Sequence, residues 1–159
     1  MNATTGKPAG LRIADYPVRI PMQVRWSDVD MYGHVNNAVY YQWFDSAING
    51  WLLDEVGAVP READVIGVVG ESACSYESEV GYGEEISIGL AVGAIGTSSV
   101  TYVLAAFAGS EARRAALGHW VHVYVERDGS VAPIPSEIAV ALKSAQVDIA
   151  PLTFRKLSR

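Results

Sequence analysis

Over residues 17–26 the chain alternates: Val18, Ile20, Met22, Val24 and Trp26 are apolar and the residues between them are polar or neutral. A period of two marks a strand with one buried face. The period then changes. Tyr40, Trp43, Phe44, Ala47, Ile48, Trp51 and Leu52 recur at helical spacing, which predicts a helix over 36–56 with Gly57 as its stop. So broad a stripe predicts burial of more than half the helix surface. Beyond Asp64 the shorter period returns. A long strand is predicted over 65–79, ended by Gly81-Tyr82-Gly83. Ile86, Ile88, Leu90 and Val92 mark a second, turning at Gly96-Thr97. Val100, Tyr102, Leu104 and Ala106 mark a third, turning near Gly109-Ser110. The last is predicted over 119–126, closed by Asp128-Gly129. Pro133 and Pro135 then introduce a short helix over 136–144, with Ser136 as its N-cap.

One strand, a long helix and four more strands predict an α+β fold, a curved antiparallel five-stranded sheet wrapped around one central helix. Residues 1–16 read as a flexible arm, 17–145 as the domain and 146–159 as a tail. A lone helix cannot cover five strands, so an edge or face of the sheet is expected to meet a second subunit.

Composition narrows the function classes. The 159 residues suit one domain with a proper core, and 50% hydrophobic against 19% charged is a globular balance. A net charge of −6 argues against nucleic acid as the main partner, though not against a small anion held by a few arginines. Cys74 is the only cysteine, which fits a reducing, cytoplasmic setting. The polar first ten residues do not read as a secretory signal. The longest apolar run, near 100–108, is too short to span a bilayer, so no membrane partner is expected.

The chemistry is concentrated in one loop. Asp28, Asp30, Gly33, His34, Asn36 and Asn37 are packed directly before the aromatic helix. A carboxylate beside the free amides of a helix N-terminus supplies a base or nucleophile and an electropositive cradle for a carbonyl oxygen, the two needs of acyl transfer. Asp28 reads as a structural acid binding loop amides. Asp45, one helical face away, reads as a satisfied buried acid. His119 and His122, three apart on a strand, face opposite sides and cannot chelate one metal. Cys74 reads as a small buried residue. There is no G-x-S-x-G elbow and no phosphate-binding G-x-x-x-x-G-K-[ST] loop.

The segment Arg25-Trp26-Ser27-Asp28-Val29-Asp30, with Gly33 and Tyr40-x-x-Trp43-x-Asp45-x-Ala47, resembles the hot-dog-fold thioesterases of the 4-hydroxybenzoyl-CoA thioesterase type. Gly33-His34-Val35-Asn36-Asn37 is similar to related acyl-CoA and acyl-carrier-protein thioesterases. Val121 to Glu126 with Pro133-Ile134-Pro135 resembles the last strand and its exit. The resemblance implies hydrolysis of an acyl-CoA thioester, or its carrier-protein counterpart, with no metal and no cofactor. Asp30 matches the catalytic carboxylate, as nucleophile or general base, and the backbone N–H of Asn36 or Asn37 matches the oxyanion donor. His34 is open: it aids proton transfer, orients Asp30 or bonds the loop backbone. Gly33 lets the loop backbone approach the ligand, and Val35 and Asn36 flank it. Tyr40, Tyr41, Phe44 and the strand over 65–76 are expected to line an apolar tunnel. Arg113 or Arg114 is expected to meet a CoA phosphate. The resemblance also implies a site shared by two chains, in a homodimer or a dimer of dimers. Two rival readings are a non-catalytic acyl-CoA binder and an enoyl-CoA hydratase. The second would need a D-x-N-P-x-H arrangement, whereas Asp30-x-x-x-His34 has other spacing and no proline.

Overall fold

The computed structural model describes residues 11–57 and 61–148. Five strands, β1 (Val18–Gln23), β2 (Val65–Tyr76), β3 (Glu85–Ile95), β4 (Ser99–Ala108) and β5 (Arg113–Glu126), form one antiparallel sheet in the order β1-β3-β4-β5-β2. The sheet curves around α1 (Asn37–Val56), and α2 (Ser136–Ser144) packs beside that helix. This is the curved sheet around one helix that the order of elements predicts, and the hot-dog fold that the resemblance implies.

Local chemistry sets the ends of α1. Asn36 is extended, and its side-chain oxygen accepts the Ala38 N–H at 3.0 Å. Gly57 closes the helix in the left-handed region, its N–H donating to the Leu53 carbonyl. Between them Tyr40, Trp43, Phe44, Ala47, Ile48 and Trp51 are buried, while Gln42, Asn49 and Gly50 are exposed. The helix is therefore covered on one side, not over more than half its surface, because a single sheet face meets it. Phe44 is wholly buried, and a Cβ added at Gly118 of β5 would lie 2.7 Å from its ring. A glycine at 118 is thus a packing requirement of the helix above it.

Several boundaries differ from expectation. β1 stops at Gln23, because Trp26–Asp28 winds into a 3₁₀ turn. β2 stops at Tyr76, and the Glu77 and Ser78 amides both turn to the Ala115 carbonyl. β5 begins at Arg113, six residues before the alternation becomes legible. The N-cap of α2 is Pro135, so Ser136 is the first helical residue and its hydroxyl donates to Glu137. The arm expected over 1–16 is corrected at its end: Tyr16 is buried, edge-on to Phe107 at 5.7 Å on the outer sheet face. Residues 1–10 of that arm lie outside the described residues. Of the expected tail, Val147 donates to the Val92 carbonyl, and 149–159 lie outside the described residues. β2 forms one edge of the sheet and exposes Val68 and Val69.

Candidate active site

The loop between β1 and α1 is held by its acids. Asp28 is buried, and its carboxylate accepts the Arg25 backbone N–H at 2.8 Å and the Arg25 Nη2 at 2.8 Å. Burial pushes this carboxyl upward, but the hydrogen bonds and charge of Arg25 outweigh it and leave its pKa below the usual carboxylate range. The Asp28 carbonyl also accepts the Asn36 N–H at 2.8 Å, which ties the loop to the helix start.

Asp30 is half-buried and organises the turn that follows. Its N–H donates to the His34 carbonyl at 2.8 Å, and its carbonyl accepts the Gly33 N–H at 3.0 Å. Its Oδ1 accepts the Tyr32 N–H at 2.9 Å and the His34 N–H at 3.3 Å, leaving Oδ2 without a partner among the described residues. Gly33 adopts φ +83°, which a non-glycine residue would take only with strain.

The helix start has one spare donor. The Asn36 N–H is consumed by Asp28, Ala38 by the Asn36 side chain, and Val39 by the Asn36 carbonyl at 3.0 Å. The Asn37 N–H alone, among these first four, has no hydrogen-bond partner in the described residues. The resemblance implies the Asn36 or Asn37 N–H as oxyanion donor, with Asn37 expected in the catalytic set and Asn36 in the substrate-binding one; of the two, only the Asn37 N–H is without a partner among the described residues.

Asp30, His34, Val35, Asn37 and Tyr40 line one cleft of about 370 Å³, closed on its far side by Tyr76 of β2 and residues 77–79. The Tyr76 hydroxyl donates to the Asn37 carbonyl at 2.9 Å, and its ring stands edge-on to Tyr40 at 5.3 Å. Burial pushes the Tyr40 hydroxyl up to about 12 and that of Tyr76 higher still, so both remain neutral donors. His34 Nε2 lies 3.1 Å from Glu79 Oε2, a partner that sequence reasoning missed. The glycine-rich turn at 81–83 marked a loop there but carried no sign of what it would face.

Other expected residues go elsewhere. Gly33 and Asn36 shape the turn without lining the cleft. Tyr41 packs on Trp120 at 5.8 Å, and Phe44 lies under the sheet against Gly118, so neither opens onto the cleft. Arg113 reaches the Glu79 carbonyl at 2.7 Å and Glu84 at 3.2 Å, while Arg114 grips Glu77 at 2.7 and 3.0 Å. Both arginines brace the wall over 77–84. His119 and His122 lie on opposite sheet faces, as their spacing predicts: His119 pairs with Glu71, and His122 is buried against Tyr102. Cys74 is half-buried, its thiol pushed up to about 11 by burial.

A larger cleft, about 650 Å³, lies over β1 and β3 beside Met22, Tyr82 and Phe107. It takes in no residue of the loop over 28–37. Volume carries no chemistry by itself, whereas the smaller cleft brings together a carboxylate, an imidazole and a spare N–H. Among the described residues no three His, Cys, Asp or Glu side chains converge as a metal site, and no helix is long and apolar enough to cross a membrane.

This combination of sheet, helix and loop defines a class. Residues 24–142 match the model of the thioesterase-like superfamily, and the chain belongs to that superfamily. Among solved structures it is similar to the PA5185 protein of Pseudomonas aeruginosa strain PAO1, at 40% identity and TM-score 0.81, covering 86% of this chain and 96% of that one. A thioesterase from Thermus thermophilus, solved with coenzyme A and Zn, is 29% identical with TM-score 0.70, covering 80% of this chain and 98% of that one. An uncharacterized protein of Bacillus subtilis strain 168, YsmA, is 29% identical over 80 residues, 50% of this chain. The matched region spans about half the length of that curated relative, 54%.

Proposed function

We propose that the protein hydrolyses an acyl-CoA thioester, or an acyl group on a carrier protein, to free acid and thiol in the Asp30 cleft. The observation that carries this reading is the uncommitted Asn37 N–H at a helix N-terminus, in the same cleft as a carboxylate with a free oxygen. In this mechanism the thioester carbonyl oxygen sits on the Asn37 amide. Asp30 takes a proton from water as the water oxygen bonds to the carbonyl carbon. The oxyanion forms on the amide and the helix dipole. Collapse breaks the C–S bond, and a proton from Asp30 or His34 neutralises the thiolate. Direct attack by Asp30, expelling the thiolate and leaving a mixed anhydride that water then opens, is the alternative order of events; after a single turnover in ¹⁸O-water, label in the Asp30 carboxyl establishes that route, since general-base hydrolysis never places it there.

Support for CoA as the thiol comes from the coenzyme A bound to the similar Thermus protein. Arg113, about half exposed, retains room to meet a phosphate while bracing Glu84; Arg114 is a strut of the wall. The open edge of β2 supports a second copy of the chain completing the cleft. A single half-buried cysteine with a raised pKa is consistent with a cytoplasmic setting. The experiment is free-thiol release from short, long and aromatic acyl-CoAs. Turnover is expected, and Asp30→Asn should lower it by at least ~100-fold. Binding of the esters with no turnover on any of them would leave an acyl-CoA binder in its place.

A further inference from the structure

At the other end of α1 lies a second cavity, of about 110 Å³. Asn37 and Asn49 are twelve residues apart, so about 18 Å of helix separates this cavity from the Asp30 cleft. Its walls are largely apolar: Leu52 and Val56 from α1, Val65 and Ile66 from β2, and Ile138 from α2. Two polar side chains on β5 interrupt them, His122 and Tyr124. His122 keeps only 2% of its surface, touches the Tyr102 ring edge-on at 5.2 Å, and makes no hydrogen bond within the described residues. The Tyr124 hydroxyl is closed off from the cavity and faces the Tyr102 hydroxyl, each perturbing the other's ionisation.

Buried polar groups are ordinarily satisfied, and each that is not costs stability. Here the His122 imidazole borders the cavity with no hydrogen bond to the described residues. A Cβ added at Gly67 of β2 would lie 3.2 Å from His122 Nδ1 and 3.3 Å from Tyr124 Cζ. The missing side chain at 67 therefore lets the imidazole and the phenol ring pack closely against β2. Asn49, at the rim, turns its amide back to Asp45 and does not compete for the imidazole.

We infer that this cavity is a binding site for a small neutral molecule with an apolar body and one hydroxyl, a phenol or a short alcohol, held by His122. At about 110 Å³ it is smaller than the apolar cavity of about 150 Å³ that accommodates benzene, so a single ring is the largest body it takes. A neutral imidazole can accept from or donate to a hydroxyl, but offers no fixed charge to a carboxylate or an ammonium. The site stands independently of the thioesterase reading.

The test is NMR titration of the full chain with phenol and, separately, with toluene. Phenol should shift the His122 ring and Gly67 amide signals and bind about tenfold tighter than toluene, the worth of one good buried hydrogen bond. Gly67→Ala should weaken both ligands at least ~5-fold by displacing His122 and the Tyr124 ring. His122→Phe should abolish the preference for phenol. Tyr124→Phe, which removes one oxygen closed off from the cavity, should leave it in place. Equal binding of phenol and toluene would overturn the proposal, as would shifts confined to the Asp30 cleft or no binding at all. Thioester turnover should be unchanged in Gly67→Ala, so failure here is distinct from failure of the hydrolase reading.

Discussion

Substituting Asp28 by Asn tests the claim that this acid holds the loop and does not react. The carboxylate accepts one backbone N–H and the Arg25 guanidinium. Asn retains an acceptor for the amide, so the loss is the charged pairing. The Arg25 side chain is 63% exposed, so its guanidinium regains water when freed. Discounted for that screening, the cost should be about 1.5 kcal/mol, near the lower end for hydrogen bonds to charged groups. With a urea slope near 2 kcal/mol/M, that moves the unfolding midpoint down by about 0.7 M at pH 7. The pH dependence follows from the lowered pKa. A carboxyl held below its unfolded value contributes stability above that value, about 3.9. The contribution is lost as pH falls through the lower folded value. The gap between wild type and Asp28→Asn should therefore be full at pH 5 and shrink below about pH 4. Turnover should fall less than ~10-fold, far less than for Asp30→Asn. A midpoint equal to wild type at pH 7, or a gap that persists undiminished at pH 2, would refute the clip. A loss of turnover matching Asp30→Asn would move Asp28 into the chemistry.

Four further outcomes are expected. Gly118→Ala drives a methyl into Phe44 and should cost about 1–3 kcal/mol in urea unfolding, with Phe44→Leu recovering part of it. Tyr76→Phe removes the bond to the Asn37 carbonyl and should cost about 1 kcal/mol together with a measurable fall in kcat; unchanged kcat would mean that β2 does not position the amide. Cys74, with its thiol pushed to about 11, should react slowly with a thiol reagent at pH 7 and accelerate only as pH approaches that value. His122 has its pKa lowered by burial, although Asp45 opposes this. Below about 6.5 the unfolded chain takes up a proton that the folded chain refuses, so stability should decline with falling pH there and His122→Phe should flatten that slope.

The helix and its stop were legible because Asn36, the apolar stripe and Gly57 all act locally. The strict alternation of β3 and β4 was legible for the same reason, since their large aliphatic side chains point to the face that meets α1 and smaller ones mostly fill the other. The start of β5 was not: Ala115 and Ala116 blur the alternation, and the register shifts beside Phe107. Tyr16 gave no sign of its burial, which depends on β4 supplying Phe107 from 91 positions further on. At the site, Asp30, His34 and Asn37 were readable as one cluster because a single turn carries them. Which amide stays free was not readable, since that turns on where the Asp28 carbonyl points. Glu79 and Tyr76 were invisible because they arrive from another strand and the turn after it. Arg113 and Arg114 looked like free charge until Glu84 and Glu77 came beside them.

The bond from Tyr76 to Asn37 spans 39 positions, and β2 pairs with β5, not with its neighbour in sequence. The turn at Asp30 and the capped start of α1 form from local hydrogen bonds, but the cleft closes only when β5 has been laid down and β2 has docked along it. Refolding should therefore restore helical circular dichroism before it restores turnover. In a cell, the helix and loop would leave the ribosome well before the strand that finishes the cleft against them.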